Sequence, residues 1–170
     1  NIALYEYDRP EPEPPALRVV SGAMRLPLKT FPPPRELEAE VERLRWEAER
    51  CRKAGDVEGF RFANAMATQA GWRFGNARRF YGKQATGVPA QAIRVGPIAL
   101  VSVAGEPFSS IGRRVAERSP YAHTLFSGYS NGGFGYIPDR RAYDEGGYEV
   151  EATPFSPDAA DVVVEEAVRL

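Results

Sequence analysis

The chain has 170 residues, of which 43% are hydrophobic and 26% charged, and this is the size and composition of one ordinary globular domain. Its formal net charge of -1 gives no sequence-wide electrostatic reason to expect nucleic acid or an anionic membrane as the partner. The single cysteine, Cys51, excludes an intramolecular disulfide and the paired thiolates of a cysteine-rich structural zinc site.

Targeting signals are not legible in the sequence. No apolar run approaches the roughly 20 residues needed to cross a bilayer, and no charged-then-apolar signal region opens the chain. Asn1 stands where an initiator Met is usual, so we expect a processed, truncated or internally numbered product. The compartment is left open.

Residues 1–34 are predicted to be a proline-rich, extended lead-in. They hold eight of the fifteen prolines, which remove backbone donors and fix extended φ values. Within them, residues 17–26 cluster apolar and β-branched side chains, which predicts one or two short strands.

An amphipathic helical hairpin is predicted over residues 35–82. In its first half, apolar residues recur at spacings of three and four, namely Leu37, Val41, Leu44, Ala48 and Cys51. Asp56 is suited to cap the second helix, which ends in the basic residues Arg78, Arg79 and Lys83. These cations could contact phosphate or nucleic acid, or they could lie in solvent at the negative end of the helix dipole. The nearly neutral net charge favours the second interpretation, and we predict no nucleic-acid partner.

After the hairpin the apolar pattern shortens to that of strands. Residues 90–95 and 98–104 are predicted to form two strands joined by a tight turn, the second apolar enough for the interior of a sheet. We also predict a helix with Pro107 in its first turn, a strand within 121–129, and a last helix capped by the Ser156 hydroxyl. This alternation indicates an α/β or α+β fold.

Glu106 lies at a junction between the end of an apolar strand and the predicted start of a helix. Ligand sites of α/β folds lie at such strand ends. Gly105 permits a sharp turn, and a helix N-terminus stabilises a carboxylate. Taken alone, the junction is explained better as an acidic helix start than as a ligand site.

A second junction, residues 131–149, embeds tyrosines among glycines. Glycines let the backbone approach a ligand closely, and a tyrosine offers a rigid ring with a hydroxyl that donates, accepts or, as phenolate, binds a metal. The spacing of twelve between Tyr136 and Tyr148 fits neither a helix nor a strand. It predicts a loop geometry.

Residues 92–153 resemble the neutral (alkaline, non-lysosomal) ceramidase family. The matching positions are Gly105-Glu106-Pro107-Phe108, Ser119-Pro120, Asn131, Gly135-Tyr136, Tyr143 and Tyr148-Glu149. The resemblance implies the C-terminal portion of a mixed-sheet α/β/α sandwich, in which the helical hairpin is inserted and residues 88–170 carry the site.

The same resemblance implies that Glu106 and Tyr136 are zinc ligands and that Tyr148 is catalytic, polarising or binding the amide carbonyl. In that family the zinc takes two more ligands from upstream histidines, for which this sequence has no counterpart. His123, the one histidine, lies outside the matched motif and is interpreted as a packed or surface residue. An upstream segment or companion chain is therefore the expected partner.

The implied function is zinc-dependent hydrolysis of an N-acylsphingosine, or a related N-acyl amide, by metal-activated water. The alternative is a ceramidase-like binding or interaction module without metal. If the apolar strand 98–104 belongs to a larger sheet, the isolated chain should expose strand edges and an apolar face. The resemblance is compatible with a secreted or membrane-associated protein.

Overall fold

The structure is a computed structural model that describes residues 16–170. Its strands and helices follow the chain in this order: β1 (Leu17–Pro27), α1 (Pro34–Lys53), α2 (Val57–Phe80), β2 (Ala85–Val95), β3 (Ile98–Val103), β4 (Glu106–Pro107), α3 (Ser109–Arg118), β5 (His123–Ser127), β6 (Tyr136–Ile137), α4 (Arg140–Glu145), α5 (Tyr148–Ala152) and α6 (Ala159–Arg169). The first fifteen residues of the predicted lead-in lie outside the described part.

The main sheet has four strands in the order β1-β2-β3-β5. The pairs β1/β2 and β2/β3 are antiparallel, whereas β3 and β5 are parallel. The helical hairpin of α1 and α2 connects β1 to β2, and a tight turn connects β2 to β3. A parallel pair needs a crossover, and α3 supplies it. The sheet is therefore mixed, and the fold is α/β, as the sequence predicts.

One face of this sheet forms the core. Its inward side chains pack with α3 and α6 in a single apolar cluster that includes Leu26, Val88, Val103, Ile111 and Val163. Period-two alternation along the strands and the apolar stripes of the two helices account for this layer.

The opposite face of the sheet is open among residues 16–170 and carries one apolar row. Val19, Ile93, Leu100 and Leu125 are aligned partners in a row across all four strands. Leu100 is 39% exposed and Leu125 is 60% exposed. β3 thus lies between two strands, as predicted, but only one of its faces is buried. Buried and more exposed residues alternate along β3, although its apolar sequence indicated burial on both faces.

The hairpin of α1 and α2 agrees closely with the predicted helices. The Asp56 carboxylate accepts a hydrogen bond from the Gly59 N–H at 2.9 Å, which is the predicted cap. At the basic end of the hairpin, the Arg79 guanidinium lies 4.7 Å from the Phe134 ring centroid. This cation therefore contacts the glycine-rich segment, residues 131–135, and does not lie in solvent alone. None of the helices within residues 16–170 has the length and apolar content needed to span a membrane.

The predicted start of the last helix is wrong in detail. α6 begins at Ala159, and the Ser156 carbonyl, not its hydroxyl, accepts the Ala159 N–H at 3.1 Å. The Ser156 hydroxyl is buried without a hydrogen-bond partner in the described residues. The Ser156 carbonyl, and not its side chain, therefore accepts the hydrogen bond at the turn before α6.

Candidate functional site

Glu106 and Tyr136 are paired residues of a small second sheet. β4 and β6 run parallel with Glu106 opposite Tyr136, and the Glu106 N–H donates to the Gly135 carbonyl at 2.9 Å. Paired residues of neighbouring strands project to the same face about 5 Å apart. The two residues that the ceramidase resemblance implies as zinc ligands are therefore brought side by side.

This pairing corrects one sequence prediction. Glu106 and Pro107 do not open a helix, because the Phe108 N–H is engaged by the Ile137 carbonyl at 3.1 Å and holds the backbone extended. α3 begins only at Ser109. The Glu106 carboxylate is thus placed by a strand pair, and not by the first turn of a helix.

Two glycines allow the segments around Glu106 to approach each other. A Cβ atom at Gly105 would lie 2.9 Å from Ile137 Cδ1, and one at Gly128 would lie 2.8 Å from Pro107 Cδ. Both separations are too short for real contacts. Glycine is required at both positions because three chain segments meet there.

Tyr148 completes the predicted trio. It is the first residue of α5 and follows Gly146 and Gly147, whose positive φ angles of 74° and 112° turn the chain. Its ring meets the Tyr136 ring at 79° with centroids 5.6 Å apart. Tyr136 therefore adjoins both Glu106 and Tyr148, and Tyr148 is about half exposed.

Two further aromatic residues belong to this site and were not predicted from the sequence. Tyr129 donates its hydroxyl hydrogen to Glu106 Oε2 at 2.6 Å. Trp72, on α2, meets the Tyr148 ring edge to face at a centroid distance of 4.6 Å. An aromatic side chain beside the glycine-rich segment was a weak signal for Tyr129. Nothing in the pattern of α2 indicated the contact of Trp72.

The electrostatics keep the Tyr136 hydroxyl protonated in the metal-free chain. Removal from water, followed by the negative charge of Glu106 and the proximity of Tyr148, raises the pKa of Tyr136 to about 12. The hydrogen bond to Glu106 likewise raises the pKa of Tyr129. Phenols near a carboxylate act as donors unless a cation offsets the negative charge.

The backbone beneath the site is fixed by a buried threonine. Thr153 donates its hydroxyl to the Tyr136 carbonyl at 2.6 Å and accepts the Phe155 N–H at 3.1 Å. The Tyr143 hydroxyl donates to the Phe155 carbonyl at 2.9 Å. Tyr143, a matching position of the ceramidase pattern, is therefore part of the support of this loop.

Glu106 and Tyr136 place two oxygen-bearing side chains next to each other. A carboxylate and a phenol side by side fit part of a zinc site, which usually has four ligands. Residues 16–170 contain no group of three or more His, Cys, Asp and Glu able to hold a metal. His123 is exposed and pairs with Ile98, the first residue of β3. The end of β3 that leads to Glu106 is five residues, or about 17 Å, further along the strand. The described residues fit as half of a site.

Comparisons with known proteins show similarity over only part of this chain. No family model matches the chain, and no curated protein matches it. Two solved structures are similar to it at 27% identity: a ceramidase complexed with C2, with a TM-score of 0.45, and the neutral ceramidase from Pseudomonas aeruginosa, with a TM-score of 0.44. The similarity covers 49% of this chain and 14% of each of those chains.

Proposed function

We propose that this chain forms part of a zinc-dependent amide hydrolase that acts on an N-acyl lipid such as an N-acylsphingosine. The in-register pairing of Glu106 with Tyr136 carries the proposal, because it juxtaposes the two oxygen ligands that the motif implies. The contact of Tyr148 with Tyr136 adds a hydroxyl group beside them.

Each of these side chains has a distinct role in the proposal. Glu106 and Tyr136 would hold the zinc, which when bound lowers the pKa of a water molecule and polarises a carbonyl group. Tyr148, exposed at the start of α5, would donate its hydroxyl to the substrate carbonyl and stabilise the negative charge that develops on this oxygen. Water adds across the amide, and the products are a carboxylic acid and an amine.

The remaining zinc ligands must come from outside the described residues. We propose that an upstream segment or a companion chain supplies two histidines, since residues 16–170 contain no group of three or more His, Cys, Asp and Glu able to hold a metal. We call the protein that contains both parts the assembled protein.

The absence of such a group from residues 16–170 is also consistent with the second candidate function, a binding or interaction module without metal. In that case the tyrosine cluster would only shape the loop. The two candidates differ in one measurable property, the zinc content of the assembled protein.

The test is metal analysis of the purified assembled protein, together with hydrolysis of a fluorogenic N-acyl amide. Stoichiometric zinc that is lost in Glu106→Gln and Tyr136→Phe, but retained in the exposed control Tyr81→Phe, would support the hydrolase. Tyr148→Phe should keep the zinc and lose most of the hydrolysis. Wild-type protein without zinc would establish the binding module instead.

A further inference from the structure

Tyr129 adopts a backbone conformation that its side chain does not favour. Its φ angle is 54°, in the left-handed region that non-glycine residues seldom enter. Its N–H donates to the Gly105 carbonyl at 2.7 Å, which ties this turn to the residue before Glu106. Outliers of this kind are retained where the surrounding structure, and often the function, requires them.

Burial does not explain why a tyrosine occupies this turn. The Tyr129 residue is 77% exposed, so its ring contributes little to the core. Glycine or asparagine would suit the backbone better. The feature that remains is the hydroxyl, and it donates a short hydrogen bond of 2.6 Å to Glu106 Oε2. Such a distance is typical of a charge-assisted bond between a hydroxyl and a carboxylate.

The bond leaves the two carboxylate oxygens of Glu106 unequal. Oε2 is engaged by Tyr129, while Oε1 accepts no side-chain hydrogen bond from any residue that the structure describes. Tyr136 is the partner of Glu106 across the strand pair. The hydrogen bond therefore engages one oxygen of the carboxylate and leaves the other available for another ligand.

We propose that Tyr129 is a positioning residue that orients the Glu106 carboxylate and directs its free oxygen towards the metal. The inference rests on the proposed function, and it adds a residue that the ceramidase motif does not include. Partners that hydrogen-bond to a metal ligand fix its orientation, and their loss weakens metal binding about 10- to 100-fold.

Two substitutions separate the hydroxyl from the turn. Tyr129→Phe keeps the ring and removes the donor, and Tyr129→Gly favours the turn while removing the whole side chain. In the assembled protein, both variants should bind zinc about tenfold more weakly in competition with a chromophoric chelator. Tyr81→Phe, at an exposed tyrosine, should bind as the wild type does.

Infrared spectroscopy of the zinc-free protein provides a readout that does not depend on metal or activity. The carboxylate stretch of Glu106, isolated by subtracting the spectrum of Glu106→Gln, should shift in Tyr129→Phe and stay unchanged in Tyr81→Phe. The midpoint of thermal unfolding of Tyr129→Phe should equal that of the wild type, since the ring is exposed.

The outcomes distinguish this inference from the proposed function. If Glu106→Gln loses zinc while Tyr129→Phe or Tyr129→Gly retains wild-type affinity, the positioning role is wrong and the hydrolase proposal stands. An unchanged carboxylate band in Tyr129→Phe would also overturn the role. If the wild type binds no zinc, both proposals are overturned.

Discussion

The indole of Trp72 meets the ring of Tyr148 edge to face, with centroids 4.6 Å apart and an interplanar angle of 82°. This contact joins the helical hairpin to the candidate site, because Trp72 lies on α2 and Tyr148 begins α5. The Asn76 side chain, one turn further along α2, donates to the Ala152 carbonyl at 3.0 Å. The hairpin therefore holds α5 at both of its ends.

The first prediction concerns Trp72→Leu, which keeps an apolar side chain but removes the aromatic contact. We expect the free energy of unfolding to fall by about 1 kcal/mol, the range measured for aromatic pairs. The proposed hydrolysis by the assembled protein should fall about tenfold, because Tyr148 loses the ring that fixes its position. Urea denaturation and steady-state kinetics measure the two effects.

The control for this change is Trp46→Leu. Trp46 lies on α1, and its residue is 66% exposed. Substitution of an exposed residue away from the site should change the free energy of unfolding by less than about 0.5 kcal/mol. Equal effects of the two substitutions on hydrolysis would contradict a role of Trp72 at the site.

The second prediction concerns Thr153→Val, which removes a buried hydroxyl without changing side-chain volume much. The change leaves the Tyr136 carbonyl and the Phe155 N–H without their partner. Each unsatisfied buried group costs about 1–3 kcal/mol, so the free energy of unfolding should fall by about 2 kcal/mol or more. Denaturant titration of the assembled protein measures this loss.

Thr68→Val is the matched control for that substitution. The Thr68 hydroxyl donates to the Asn64 carbonyl at 2.8 Å on the exposed side of α2, where water can replace it. We expect a change below about 0.5 kcal/mol. A loss as large as that of Thr153→Val would mean that burial does not decide the cost.

The sequence is informative about the regular elements and weak on the contacts of the site. Long periodic segments predict α1, α2 and β3, since many residues contribute to each pattern. The pairing of Glu106 with Tyr136 depends on two strands of two residues each, which are too short to have a period. It was accessible only through the resemblance to ceramidases. The Tyr129 contact arises from a left-handed turn that a tyrosine does not favour, so no local pattern predicts it.

The third prediction concerns the pH dependence of stability. Burial raises the pKa of Tyr143 to about 12, above the ordinary value of 10.0 that an unfolded chain would show. The folded state then holds its proton more tightly, so this contribution to stability is complete below pH 10 and is lost as the pH rises towards 12. The free energy of unfolding should decrease over that interval.

Tyr143→Phe tests the assignment. The variant has no hydroxyl at this position, so its free energy of unfolding should fall less steeply between pH 10 and 12 than that of the wild type. It should also be less stable at neutral pH, because the Phe155 carbonyl loses its donor. An identical slope in the two proteins would show that Tyr143 does not titrate in this range.

The fourth prediction concerns the open face of the main sheet. The apolar row of Val19, Ile93, Leu100 and Leu125 extends over all four strands and ends at the edge strand β5. An exposed apolar sheet face beside an unpaired edge promotes association between chains. The isolated 170-residue chain should therefore aggregate at micromolar concentration.

Leu125→Lys should reduce this aggregation, because a charge on the edge strand opposes both apolar contact and edge pairing. Phe62→Lys is the matched control: it removes another exposed apolar side chain and adds the same charge, but it lies on α2. Light scattering of the three isolated chains during heating compares them. Equal protection by the two lysines would attribute the effect to net charge alone. A reversible, cooperative transition of the unsubstituted chain would show that the open face needs no cover.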